Sequence, residues 1–229
     1  MTEKDGGDLN LEHFLPADIE RTSMEIISRE LDRLGYVVLQ EEAYVVKRVI
    51  HTTADFEYAA NLHISPGAVS MGKQALQQGI PIVTDTNMIR AGLSKGALEK
   101  LGSQAVCFMA EEEVALAAKQ NQTTRAVAAM DKAAREFPQS ILAVGNAPTA
   151  LLRICEQIQK GLRPALVIGA PVGFVNVVES KERLLEICSE YQVPVIVAKG
   201  RKGGSTVAAA ICNALIYAAA GQLDPADRV

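Results

Sequence analysis

The stretch "ILAVGNAPTALLRICEQIQKG" (residues 141–161) decides the fold. It opens on an apolar run without polar alternation, the pattern of a strand covered on both faces. A loop with Gly145 and Asn146 follows. Pro148 then stands where a helix starts without missing the proline N–H, and Gly161 where that helix ends, with helical periodicity between them. The next apolar run, "ALVIGA" from Ala165, completes a strand–helix–strand unit. Such a unit belongs to a parallel sheet, because the helix carries the chain back across one face.

The same reading extends in both directions. "IPIVTD" from Ile80, "QAVCFM" from Gln104 and "VPVIVAKG" from Val193 are further short apolar runs set among helical segments. The expectation is an α/β fold: a mainly parallel five-stranded sheet with helices on both faces and a helical N-terminal region. About 75 residues precede the first of these runs and contain no convincing strand. Within them, "DIERTSMEIISRELDRLG" (residues 18–35) spaces Met24, Ile27, Leu31 and Leu34 as the apolar face of a helix closed by glycine. The final helical segment, "GGSTVAAAICNALIYAAAG" (residues 203–221), is apolar nearly all round, which predicts burial and allows a share in a subunit contact.

With 229 residues, 48% of them hydrophobic, the chain can bury a sizeable core, and no linker or repeat divides it. One domain over residues 1–229 is expected, with a flexible arm over about residues 1–15. Lys and Arg number 23 against 27 Asp and Glu, a net charge of -4, which excludes a general nucleic-acid or membrane-surface binder. No apolar run is long enough to span a bilayer and the N-terminus lacks a basic-then-apolar leader, so a cytoplasmic location is expected. Cys107, Cys155, Cys188 and Cys212 stand singly in apolar segments and read as buried free thiols.

The residues able to carry chemistry are few. If residues 41–53 are helical, Val45, Val46, Val49 and Ile50 form one stripe and Tyr44, Arg48 and His51 lie nearly opposite. Arg48 disfavours protonation of His51 and Asp55 favours it, so sequence does not fix the sign. On spacing alone, a plain solvated face is the favoured reading of this group. His63 and His13 carry less weight. Strand-end loops are the other candidates, since parallel sheets bind ligands at the carboxyl edges of their strands. Of these, "KGRKGGST" (residues 199–206) gathers cations, glycines and a helix start, which suits an anion, although it matches neither a P-loop nor a dinucleotide fingerprint. A solvated basic turn fits that segment equally well. Three histidines, no CxxC, no HExxH and no GxSxG argue against a protein-bound metal or a serine nucleophile.

Taken in order, "RTSMEII", "VKRVIHTTADFEYAANL", "GIPIVTDTNMIRAGL", "VGNAPTALLRICE", "PALVIGAPVGFVNVVESKE" and "VIVAKGRKGGSTVAAAICNAL" resemble the precorrin-8X methylmutase family, also called cobalt-precorrin-8 methylmutase, from about Arg21 to Ala219. The resemblance implies a flavodoxin-like domain working as a homodimer, with active sites at the subunit interface. It implies an isomerase of cobalamin biosynthesis that moves a methyl group within an anionic tetrapyrrole to give a corrin product, without an organic cofactor; any cobalt belongs to the substrate. By resemblance, His51 is the catalytic residue and Ser23 and Arg48 meet the substrate. Lys202, Gly203 and Gly204 suit its carboxylates, and Asn87 and Asn146 are candidates by position on strand-end loops. The "HTTAD" form at residues 51–55 resembles the cobalt-containing branch. Two other readings stay open: a non-catalytic corrinoid carrier, and an unrelated α/β enzyme that binds a phosphorylated metabolite through residues 199–206.

Overall fold

The computed structural model describes residues 15–228. Its N-terminal part runs α1 (Pro16–Arg33), α2 (Ala43–Thr53), α3 (Tyr58–Asn61), β1 (Leu62–Ile64) and α4 (Ala68–Gln77). Strands and helices then alternate through β2 (Ile82–Thr84), α5 (Asn87–Gly92), α6 (Lys95–Lys100), β3 (Ala105–Val106), α7 (Glu112–Gln120), α8 (Arg125–Glu136) and β4 (Ile141–Val144). The chain closes with α9 (Pro148–Gln159), β5 (Leu166–Gly169), α10 (Val177–Glu190), β6 (Val195–Ala198), α11 (Ser205–Ala219) and a 3₁₀ turn, Pro225–Arg228. The expected arm and His13 lie outside the described residues.

The sheet order is β1-β6-β5-β4-β2-β3. Strands β2 to β6 pair in parallel and, counted among themselves, follow the order 2-1-3-4-5 of a doubly wound sheet, whose switch point lies between β2 and β4. The expected five strands are all present, but the sheet is six-stranded and mixed: β1 runs antiparallel to β6, with His63 opposite Val197. This corrects the expectation that no strand precedes Ile80. Three residues are too few for alternation to show, and β1 is held in place through its neighbour Ser65. Ser65 N–H donates to the Val195 carbonyl (3.0 Å) while Val195 N–H donates to Ser65 Oγ (3.0 Å).

Apolar runs replace alternation in the strands because both faces are covered. Ile82, Ile141, Ala143, Leu166, Ile168 and Ile196 face the layer of α1, α2, α4, α5, α6 and α11. Their neighbours Val83, Leu142, Val144, Val167, Val195 and Val197 face α7 to α10. The side chains thus alternate between two equally apolar cores.

In α1 the structure buries Ile27 and Leu31 and packs Met24 against them, whereas Leu34 stays 47% exposed because the helix ends at Arg33. Eleven of the fifteen residues of α11 are buried, and α2, α4 and α5 of the same subunit pack against it. All four cysteines are buried. Burial raises the Cys155 thiol to about 11 and those of Cys188 and Cys212 to about 12, so each is held as a poorly nucleophilic thiol.

Candidate active site

His51 occupies the last turn of α2. Val45, Val46, Val49 and Ile50 of that helix are at most 3% exposed, so its apolar stripe is spent on the core and His51 is left on the open side. The helix stops at Ala54, whose left-handed φ of 52° lets its N–H close on the Ile50 carbonyl at 2.7 Å. The chain then turns so that Asp55 and Glu57 hold Lys202 Nζ at 2.6 and 2.5 Å. These two ion pairs fasten the end of α2, and with it His51, to the loop at the carboxyl end of β6.

The sign left open for His51 is settled by its neighbours. Desolvation of part of the imidazole lowers its pKa below 6.5, the Arg48 and Arg228 charges lower it further, and Glu20 opposes them. The Asp55 carboxylate is paired with Lys202 instead. That pairing overcomes partial burial and holds the Asp55 pKa below 3.8.

Arg48 is not on a solvated face. Its Nη2 donates to Glu20 Oε1 of α1 at 2.5 Å, and Arg228 Nη1 reaches the same oxygen at 2.6 Å. Both guanidinium groups lie over the Tyr217 ring, at 5.3 and 3.9 Å from its centroid. Burial pushes the Glu20 carboxyl up, but the hydrogen bonds and charges of the two arginines outweigh it and hold the group below 4.5. A cleft of about 260 Å³ beside Glu20, Tyr44, Arg48 and Tyr217 does not include His51. It falls below the roughly 300–1,000 Å³ of ordinary ligand sites, so one subunit alone does not enclose a macrocycle there.

Ser23 lies on α1 with its Oγ donating to the Ile19 carbonyl at 2.8 Å. It shares a helix face with Ile19 and Ile26, which are 47% and 46% exposed. Helix α1 meets Arg48 through Glu20, three residues before Ser23.

At the switch point the organising residue is Asp85, 1% exposed. One carboxylate oxygen accepts the Gly145 N–H (2.9 Å) and the other those of Asn146 (2.9 Å) and Ala147 (2.8 Å). Burial raises its pKa above 3.8 against these three donors. Thr86 caps α5 through Ile89 N–H and sits 3.0 Å from Ser205 Oγ, joining the β2 loop to the start of α11. Asn146 is exposed on the β4 loop, and Asn87, expected on a loop, is the exposed first residue of α5 because Thr86 caps the helix just before it. Among the described residues no hydrogen bond links either one to His51.

Residues 199–206 differ from a freely charged anion loop in two ways. Lys202 is neutralised by Asp55 and Glu57, and the Gly204 N–H is used by the Ala170 carbonyl at 2.7 Å. Gly203 has a φ of 154°, and a Cβ there would lie 2.3 Å from the Ala170 oxygen, so only glycine fits. Of the other two cations, Lys199 is exposed and Arg201 lies over the Phe174 ring at 5.5 Å. Phe174, Val175 and Met88 are 83%, 75% and 67% exposed, an apolar rim along the carboxyl edge.

Glu20, Asp85, Tyr217 and Arg228 were invisible to spacing. Asp85 alone left a signal, an acid closing an apolar strand, where burial demands hydrogen-bond donors.

The Precorrin-8X methylmutase family profile matches residues 18–218. A "Cobalt-precorrin-8 methylmutase" of Leptospira interrogans is 44% identical over 209 residues, covering 88% of this chain and 93% of that protein. One of Salmonella typhimurium is 42% identical over 211 residues, covering 90% and 97%. A crystal structure of precorrin-8x methyl mutase from Thermus thermophilus superposes with a TM-score of 0.79 at 44% identity, covering 89% of this chain and 98% of that one. The ordered motifs, the sheet and nearly the full length agree, and the chain belongs to the precorrin-8X methylmutase family.

Proposed function

We propose that His51 is the general acid of an intramolecular methyl transfer on a cobalt-precorrin-8 type tetrapyrrole. The activity is that of an isomerase of cobalamin biosynthesis. A methyl group offers no acidic proton and no leaving character, so the lever is the conjugated ring. A proton from His51 to a ring nitrogen makes the macrocycle electron-poor. The methyl then migrates with its bonding pair between adjacent carbons of the macrocycle, a [1,5] shift, and the proton returns to the imidazole. Atoms and charge balance as an isomerisation, and no organic cofactor takes part. Histidine suits the task because its pKa lies close to neutrality, which allows both proton donation and recovery.

The observation that carries this reading is the placement of His51: an open imidazole at the carboxyl edge, anchored by the pairs of Asp55 and Glu57 with Lys202 and surrounded by an excess of positive charge. The lowered pKa leaves the free enzyme mostly neutral at this position at pH 7. A substrate fringed with carboxylates reverses the local field, raises the pKa and charges the acid only when the ring is present. The exposed Phe174, Val175 and Met88 suit the edge of a flat apolar ring, and Arg201 suits its carboxylates.

One subunit leaves His51 open rather than enclosed. Ile19 and Ile26 on the Ser23 face of α1, and Val37 (94% exposed) and Leu39 (58% exposed) after that helix, offer apolar surface that suits a second subunit, which would close the slot as a homodimer.

The test is turnover. Incubation with cobalt-precorrin-8 is expected to change the visible spectrum as conjugation extends, with many equivalents converted per subunit. Conversion of a single equivalent, or binding without spectral change, would favour a carrier instead.

A further inference from the structure

Lys181 of α10 is 1% exposed, and among the described residues it has no carboxylate partner. Burial alone lowers its amine to about 8 from 10.5. A methionine would fill the same space without desolvating a charge, so the ammonium needs a reason to be there. Its Nζ donates to two carbonyls of the β6–α11 loop, Gly200 and Lys202, each at 2.8 Å.

Peptide geometry gives those two bonds a consequence. In a trans peptide the C=O and the following N–H point in opposite directions, and no peptide here is cis. With the Gly200 and Lys202 carbonyls turned inward to Lys181, the N–H groups of Arg201 and Gly203 point away from the buried ammonium. Neither N–H has an acceptor among the described residues. The intervening peptide is held the other way, since the Arg201 carbonyl accepts from Gly173 N–H at 3.2 Å. The Gly204 N–H, bound to Ala170, fixes the far side. The ammonium therefore stands behind two aligned peptide dipoles whose positive ends face out.

We infer that Lys181 is a positioning residue for substrate: by gripping the Gly200 and Lys202 carbonyls it presents the amides of Arg201 and Gly203 to a carboxylate on the rim of the tetrapyrrole. The inference rests on the reading that this loop meets the substrate. It also moves the expected backbone contact from Gly204, whose amide is occupied, to Arg201 and Gly203.

Lys181→Met in the full-length protein removes both donors and the charge at nearly constant volume. Its KM for cobalt-precorrin-8 and its Kd for the corrin product are expected to rise about tenfold, with kcat within about twofold of wild type. Lys181→Arg, which restores charge and donors, is expected to recover part of the loss. In wild type, saturation with product is expected to slow hydrogen exchange at the Arg201 and Gly203 amides. A folded Lys181→Met with unchanged KM, or a loss of thermal stability alone, overturns the inference. If that variant does not fold, wild-type Arg201 and Gly203 amides whose exchange ignores saturating product overturn it equally. A wild-type protein that converts no substrate would instead remove the functional reading beneath it.

Discussion

His51→Ala is expected to lower kcat by about 10²- to 10⁴-fold, the range that a positioned general acid contributes, while KM changes only a few-fold. The fold should not register the change. The imidazole is exposed, it makes no hydrogen bond among the described residues, and the stripe that seats α2 consists of Val45, Val46, Val49 and Ile50. Its neighbours Arg48 and Arg228 already disfavour the cation, so truncation removes a small electrostatic penalty and leaves thermal stability near wild type. Steady-state kinetics beside a melting curve separates the two effects. A variant that turns over at the wild-type rate assigns the proton to another group, and one that melts early makes His51 a structural residue.

Asp85→Ala is expected to destabilise the protein by about 3–5 kcal/mol, because it leaves the N–H groups of Gly145, Asn146 and Ala147 without their acceptor. For a chain of this size that corresponds to a fall in Tm of roughly 10 °C. The damage should extend to binding: the same carboxylate joins the β2 and β4 loops that present Asn87 and Asn146, so KM should rise in whatever fraction remains folded. Asp85→Asn retains one acceptor oxygen but turns an amide N–H toward a backbone N–H, and should lie between Ala and wild type. A melting curve for Asp85→Ala that overlays wild type would show that water replaces the carboxylate at no cost.

The contrast between these two residues explains what the sequence could carry. The parallel core was legible because its strands are apolar on both faces and so announce themselves as runs, each bounded by a glycine or a polar loop. Residues 62–64 were not, because an edge strand of three residues has no periodicity and gains its conformation from pairing with β6. The place of His51 on the open side of α2 was legible from the helical spacing of Val45, Val46, Val49 and Ile50. The partners that set its charge were not: Glu20 arrives from α1, while Arg228 and Tyr217 come from the far end of the chain and meet Arg48 only in three dimensions. Lys202 looked like a free cation beside glycines, yet folding places two carboxylates on it. Lys181 drew no reading from the sequence, and only the packing of α10 under the β6 loop shows it buried. Spacing along a chain reports backbone habit; it does not report which distant charges fold against one another.

The central claim is that the imidazole of residue 51 carries the proton only when the macrocycle lies against it. An NMR titration of selectively labelled histidine measures this, free and saturated with the corrin product, with His63 on β1 as an internal control. The His51 pKa is expected below 6.5 in the free protein and well above that value in the complex, its resonances displaced by the bound ring while those of His63 stay in place. A His51 pKa and chemical shift that product leaves unchanged would contradict the account.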